Sequence, residues 1–199
     1  MDTDQHFQEE VAKLKQELYK KELHIKELQS LITKDHLTGL YNRRGFEEEV
    51  GRIFNDIVYT EGSSASPSRF NIDSISILFF DIDNFKKLND DHGHKVGDQA
   101  LRQVTQIIAN KVRDVDFVCR WGGEEIVAAL IGSDEKHAYE KAEEIRQAIK
   151  SRVKLNDISV TVSIGVASFE KGLSLGDLID RADKAMYVAK HERGKDCAV

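Results

Sequence analysis

The sequence predicts an α/β or α+β sandwich, helices alternating with strands around a central sheet that includes one antiparallel hairpin. Three observations carry this. "SISILFFDID" (Ser74 to Asp83) is a short, almost wholly apolar run of β-formers, the pattern of a strand buried on both faces. "VDFVCRW" and "EEIVAALI" are two further apolar runs that flank Gly122-Gly123, a dipeptide suited to the positive φ of a two-residue hairpin. Stretches of helical period separate the strands.

Residues 4–34 contain neither Pro nor Gly. Phe7, Val11, Leu14, Leu18, Ile25, Leu28 and Ile32 recur on alternating steps of four and three, interrupted at Lys21. Four heptads with Lys, Glu and Gln on the other faces predict a coiled coil and hence a parallel homodimer; the alternative is an amphipathic helix docked on its own domain. Residues 1–34 are read as the dimerisation helix and 35–199 as the domain. "KDHLTGLYNRRGF" breaks the helix at Gly39 and restarts it near Asn42, and Tyr59 to Asp73, with the single Pro, reads as a surface loop. Residues 84–91 and Lys95 to Asp114 predict two helices. "DEKHAYEKAEEIRQAIKSRV" predicts another, burying Ala138, Ala142, Ile145 and Ile149; "ISVTVSIGVASF" is one more strand and "SLGDLIDRADKAMYVAKHE" a closing helix.

The chain has 199 residues, 40% of them hydrophobic, enough for one well-cored domain and an appendage. A net charge of −6 argues against a general partner of nucleic acid or anionic membranes. No apolar run is long enough to span a bilayer, and the N-terminus is polar, so a cytoplasmic protein is expected. Cys119 and Cys197 fall in no metal-ligand spacing and suit a reducing compartment.

Carboxylates stand where they cost most. Asp81 and Asp83 end an apolar strand, so an ionised pair there needs a cation, and a divalent metal is the obvious one. Glu124 and Glu125 follow the hairpin glycines, so neighbouring strands would bring Asp81 and Glu124 to one ion. Hard oxygen donors without His or Cys select Mg²⁺ or Mn²⁺. An EF-hand is excluded because Phe85 stands where that loop needs an oxygen. Gly122 and Gly123 would let a bulky ligand approach the backbone. Lys86 and Lys87 offer charge to phosphate, and Asn89 and Asp98 an amide and a carboxylate to a purine edge. A carboxylate accepting two N–H donors fits guanine N1–H and its 2-amino group, whereas adenine has no such pair.

In order, "DHLTGLYNRR", "FFDIDNFKKLND", "HGHKVGDQAL", "RWGGEEI" and "ADKAMYVAK" resemble the motifs of the GGDEF family of diguanylate cyclases over residues 35–196. The resemblance implies a palm-like fold, a five-stranded sheet wrapped by helices, holding one GTP per domain. Two antiparallel domains would let each 3′-hydroxyl attack the opposite α-phosphorus, giving cyclic di-GMP and pyrophosphate. Carried over, Asp81, the Ile82 carbonyl, Glu124 and Glu125 bind metal, and Glu124 assists deprotonation of the hydroxyl. Asn89 and Asp98 read guanine, Phe85 and Lys86 contact the phosphate region, and Lys190 reaches the terminal phosphates. "RDVD", with Arg113 and Asp116, resembles the family's product-binding inhibitory site, which Arg146 would join; the alternative is a surface ion pair.

The chain departs from the family pattern twice. Ile126 replaces the final Phe of the signature, and "KHERGKD" is one residue longer before its Gly than the family's K-x-x-G-R-N. A phosphate-binding Arg is therefore unassigned between Arg193 and Lys195. A catalytically inactive receptor or scaffold that binds GTP or cyclic di-GMP is the alternative function. The heptads imply an upstream sensor, a partner, or a helix that itself responds.

Overall fold

The computed structural model describes residues 2–62, 74–155 and 158–199. In chain order the elements are α1 (Asp2–Thr33), β1 (Tyr41–Asn42), α2 (Arg43–Gly62), β2 (Ile75–Ile82), α3 (Phe85–His92), α4 (His94–Lys111), β3 (Phe117–Gly122), β4 (Glu125–Ile131), α5 (Glu135–Arg152), β5 (Lys154–Leu155), β6 (Ile158–Ser159), β7 (Val162–Ser168) and α6 (Leu175–His191).

Five strands form one sheet in the order β1-β3-β4-β2-β7. Only β1 with β3 is parallel; the other pairings are antiparallel. All eight residues of β2 are buried, as its unbroken apolar run predicts. Alternate residues feed two cores. Leu78, Phe80, Ile126, Ala128 and Ile164 pack beneath α4 and α5. Ile77, Phe79, Val127 and Ala129 pack beneath α2 and α6. The expected buried face of α5, Ala138, Ala142, Ile145 and Ile149, is wholly inaccessible.

Local chemistry sets the element boundaries. Asn42 Oδ1 accepts from Gly45 N–H at 2.9 Å and starts α2. Ser174 and Asp177 form a reciprocal capping box at α6. α6 lies close on β7 because Gly165 has no side chain: a Cβ there would stand 1.9 Å from the Ala182 carbonyl.

Some expectations are corrected. The single strand expected at 158–169 is two, since β6 leaves the main sheet to pair with β5. β1 lies in a segment expected only to restart a helix. α2 runs on to Gly62, and the rest of the expected surface loop lies outside the described residues. α1 is helical throughout, and Phe7, Leu14, Leu18 and Leu28 of its seam are 46–61% exposed. The side chains of residues 25 and 32 lie outside the described ones.

Candidate active site

The hairpin between β3 and β4 differs from the expected one. Gly122 pairs with Glu125, so the two-residue turn is Gly123-Glu124, and of the two hairpin glycines only Gly123 has positive φ (24°). Trp121 is the extra residue of a bulge between Arg120 and Gly122. Its indole meets Phe46 and Phe79 edge to face, and the Arg43 guanidinium lies 4.3 Å from its ring centre. That aromatic seat shifts the register and moves Glu124 into the turn itself. A Cβ on Gly122 would stand 3.2 Å from Glu125 Oε2, so the glycine leaves room for that carboxylate.

Asp81 and Glu125 are directly opposed cross-strand residues, hence on one face of the sheet, the face beneath α6. Lys190 reaches from α6 to put Nζ 2.6 Å from Asp81 Oδ1. Burial pushes the Asp81 carboxyl above the usual carboxylate range; Lys190 opposes this, and Glu124 and Asp83 add to it. Glu125 is also pushed up, first by burial and then by Asp81, Asp183 and Glu124. One ammonium thus faces three clustered carboxylates, and the surplus negative charge fits a divalent cation. The donors are hard oxygens throughout. Among the described residues no group of three or more His, Cys, Asp or Glu side chains is placed to hold a metal ion; Mg²⁺ would take only part of its shell from this set, the rest coming from waters and substrate phosphates.

Asp83 is not part of this set. It is buried and accepts from Thr161 Oγ1 and Ser163 Oγ, both at 2.7 Å, and from the Asp196 N–H at 3.1 Å. Three donors satisfy it without a metal, which corrects the expected Asp81/Asp83 pair.

A cavity of about 420 Å³ opens beside the hairpin, lined by Phe85, Lys86, Lys87, Glu124, Lys190 and Lys195 among others. Lys195, one of the two cations that sequence reasoning left open, lines this cavity, its Nζ 2.6 Å from Asn84 Oδ1. Asn89 and Asp98 stand on α3 and α4 and do not line this cavity. Asn89 packs on α4, its Oδ1 filling the space over Gly97, next in sequence to Asp98, where a Cβ would lie 1.9 Å away. Asn89 Oδ1 is buried with no hydrogen-bond partner among the described residues. A lone buried acceptor costs about 1–3 kcal/mol, which a ligand N–H would recover.

A family profile described as "Diguanylate cyclase, GGDEF domain" matches residues 32–196. This chain belongs to the GGDEF family. It is 36% identical to diguanylate cyclase DosC of Escherichia coli (strain K12) over 166 residues, 81% of this chain and 34% of that protein. To diguanylate cyclase A of Treponema denticola it is 39% identical over 137 residues, 67% of this chain and 36% of that protein. It therefore spans about a third of the length of these curated relatives. The coiled coil and GGDEF domain of DgcB from Caulobacter crescentus, solved in complex with c-di-GMP, superposes with a TM-score of 0.81 at 27% identity, covering 97% of this chain and 98% of that one.

Elsewhere in this GGDEF chain, Arg113 and Asp116 form a closed pair. Arg113 Nε and Nη2 meet the two carboxylate oxygens at 3.1 and 2.9 Å, and Asp116 also accepts from the Arg113 and Ile131 amides. They line a cavity of about 500 Å³ with His137, Lys141 and Glu144 of α5. Arg146 is not there. Its guanidinium is held by Glu143 and Asp196 on another face of α5, because residue 146 lies about 200° around the helix from residue 144. Sequence reasoning also missed Arg120, which donates to the Gly123 carbonyl at 2.9 and 3.0 Å and pairs with Asp35 at 3.1 Å. Asp35 itself caps Thr38 in the joint that follows α1. The hairpin is thereby fastened to the end of the leading helix.

Proposed function

We propose that the chain is a diguanylate cyclase that condenses two GTP into cyclic di-GMP and two pyrophosphates across a homodimer. What supports this reading most is the meeting of Asp81, Glu124, Glu125 and Lys190 beside a lysine-lined cavity, in a chain whose relatives are named diguanylate cyclases.

Each 3′-hydroxyl attacks the α-phosphorus of the opposite GTP, the α–β bridging P–O bond breaks, and pyrophosphate leaves. Glu124, in the turn, assists removal of the hydroxyl proton. Asp81, the Ile82 carbonyl, Glu124 and Glu125 would hold Mg²⁺ or Mn²⁺, which when bound neutralises charge on the phosphoryl oxygens. Lys86, Lys190 and Lys195 take the outer phosphates, and Phe85 walls that side. Asp98 accepts guanine N1–H and the 2-amino group, and the unpartnered Asn89 Oδ1 supplies a further acceptor. Gly122 and Gly123 keep the hairpin clear of side chains where the nucleotide lies.

One domain holds one half of the reaction. Residues 1–34, as a parallel coiled coil, would tether two domains 35–199 at high effective concentration. DgcB is likewise described as a coiled coil with a GGDEF domain. SiaD of Pseudomonas aeruginosa, with a TM-score of 0.74 at 30% identity over 96% of this chain and 70% of that one, was solved with an activator, SiaC, so input from a partner or a sensor fits this architecture. The Arg113/Asp116 cleft is read as the inhibitory site for the cyclic dinucleotide in a cytoplasmic signalling enzyme.

Purified chain incubated with GTP and Mg²⁺ should yield pyrophosphate and cyclic di-GMP by chromatography, and none with EDTA. A demonstrated dimer that makes neither, yet binds cyclic di-GMP tightly, would overturn the cyclase reading in favour of a receptor.

A further inference from the structure

The turn between β2 and α3 carries Asn84, Phe85 and Lys86 to the cavity, and its shape is not set by that turn alone. Asn84 is left-handed (φ 57°, ψ 24°). Beside it Asp83 is 7% exposed. Among the described residues no basic side chain is a hydrogen-bond partner; two hydroxyls and one amide donate to it. That amide belongs to Asp196, beyond α6.

The segment that supplies it is itself unusual. Gly194, Lys195 and Asp196 have φ of 86°, 70° and 49°, three consecutive left-handed residues, two of them not glycine. A conformation of this kind costs about 1–2 kcal/mol per non-Gly residue and persists only where surroundings impose it. The Asp196 carboxylate receives Arg146 at 2.5 Å and Lys150 at 2.6 Å. Lys195 N–H donates to the Ala189 carbonyl, and Val199 exchanges hydrogen bonds with β7 through Ile164 and Val166. The result delivers Lys195 Nζ to Asn84 Oδ1, so the strap and the turn meet twice.

We infer that Asp83 is a positioning residue, holding the substrate turn and the carboxyl-terminal strap in one geometry so that Lys195 and Lys86 face the same ligand. The inference rests on the reading of this cavity as the GTP site. It assigns Asp83 a role opposite to that of Asp81: one carboxylate turned toward a cation, the other toward protein donors only. Asp83 needs acceptor oxygens, not charge. Asparagine at this position keeps an oxygen for Thr161 and the Asp196 amide, and its Nδ2 can donate to the Ser163 hydroxyl, which turns to accept.

The test compares wild type, D83N, D83A, D196A and D81N by GTP turnover and by amide hydrogen exchange over residues 194–199. D83N should keep kcat and KM within about threefold of wild type, while D81N loses activity. D83A should raise the KM for GTP at least tenfold, with kcat changed far less, and speed exchange in the strap. D196A, which removes the carboxylate that Arg146 and Lys150 hold, should do the same more weakly. D83N as inactive as D81N would overturn the inference in favour of a ligand role. So would strap exchange that rises in D83A and D196A with KM unchanged. A wild-type chain that takes up no GTP would overturn the nucleotide reading and the inference with it, and is told apart because wild type fails along with the variants.

Discussion

Asp81 and Asp83 are two residues apart, share a face at one strand end, and meet opposite fates. Asp83 sits among neutral donors; Asp81 faces Lys190 and two more carboxylates. The protein therefore carries unfavourable charge at the acidic set when no cation is present. Glu125→Gln should raise the Tm of the metal-free protein by about 2–4 °C, on the scale of 1 kcal/mol in a chain of this size, while lowering product formation at least ~100-fold. Glu125 has a raised folded-state pKa, so its ionised form opposes folding above that value and the penalty disappears below the ordinary Glu pKa. The Tm gap between E125Q and wild type should accordingly be widest near neutral pH and close on acidification. Calorimetry at several pH values checks it, and a gap that widened with acid would contradict the charge argument. Asp35 has the reverse sign. Burial would raise its pKa, but Thr38 and Arg120 outweigh burial and hold it low, so its stabilising contribution is lost as pH falls through that depressed value.

At the scale of elements, the long apolar or periodic segments were legible and the small irregular ones were not. β2, α4, α5 and α6 announce themselves by uninterrupted or 3.6-residue patterns. β1, β5 and β6 are two residues each, too short for any period, and exist because a neighbouring segment of the same chain offers hydrogen bonds. The acidic set was legible because charged residues bordered apolar runs. The bulge at Trp121 was not, since it depends on Phe46 and Phe79 arriving from other elements. Nor was the place of Arg146, because an arginine on a helix does not say which carboxylate claims it. The place of Lys195 at the cavity wall depends on a left-handed turn that no residue type signals. Helix α6 depends on a single glycine for its seat. Gly165→Ala should force Ala182 and Met186 off β7, costing about 2–3 kcal/mol and about 5–10 °C in Tm. Because Lys190 rides on that helix, the loss of turnover should exceed what unfolding alone predicts, measured well below the new Tm.

For the molecule as a whole, α1 presents apolar side chains that its own domain does not cover. If two copies zip along this face, replacing Leu14 and Leu18 together with Glu should give a monomer by light scattering, with the domain's Tm nearly unchanged and turnover falling by orders of magnitude. Turnover should recover in part as protein concentration rises, since encounter of two domains then replaces the tether. An active monomer whose rate per molecule does not depend on concentration would count against a shared reaction centre.

The sheet is finished on both flanks by fragments. Two-residue β1 closes the β3 side, and Ala198 bridges to Ile164 on the β7 side. Neither flank offers a long row of open amides and carbonyls, so self-templated strand addition has no purchase at either border. If the proposed reaction brings like copies together, they can thus be crowded without polymerising through the sheet, and their encounters would be left to the helix and to nucleotide held between the domains.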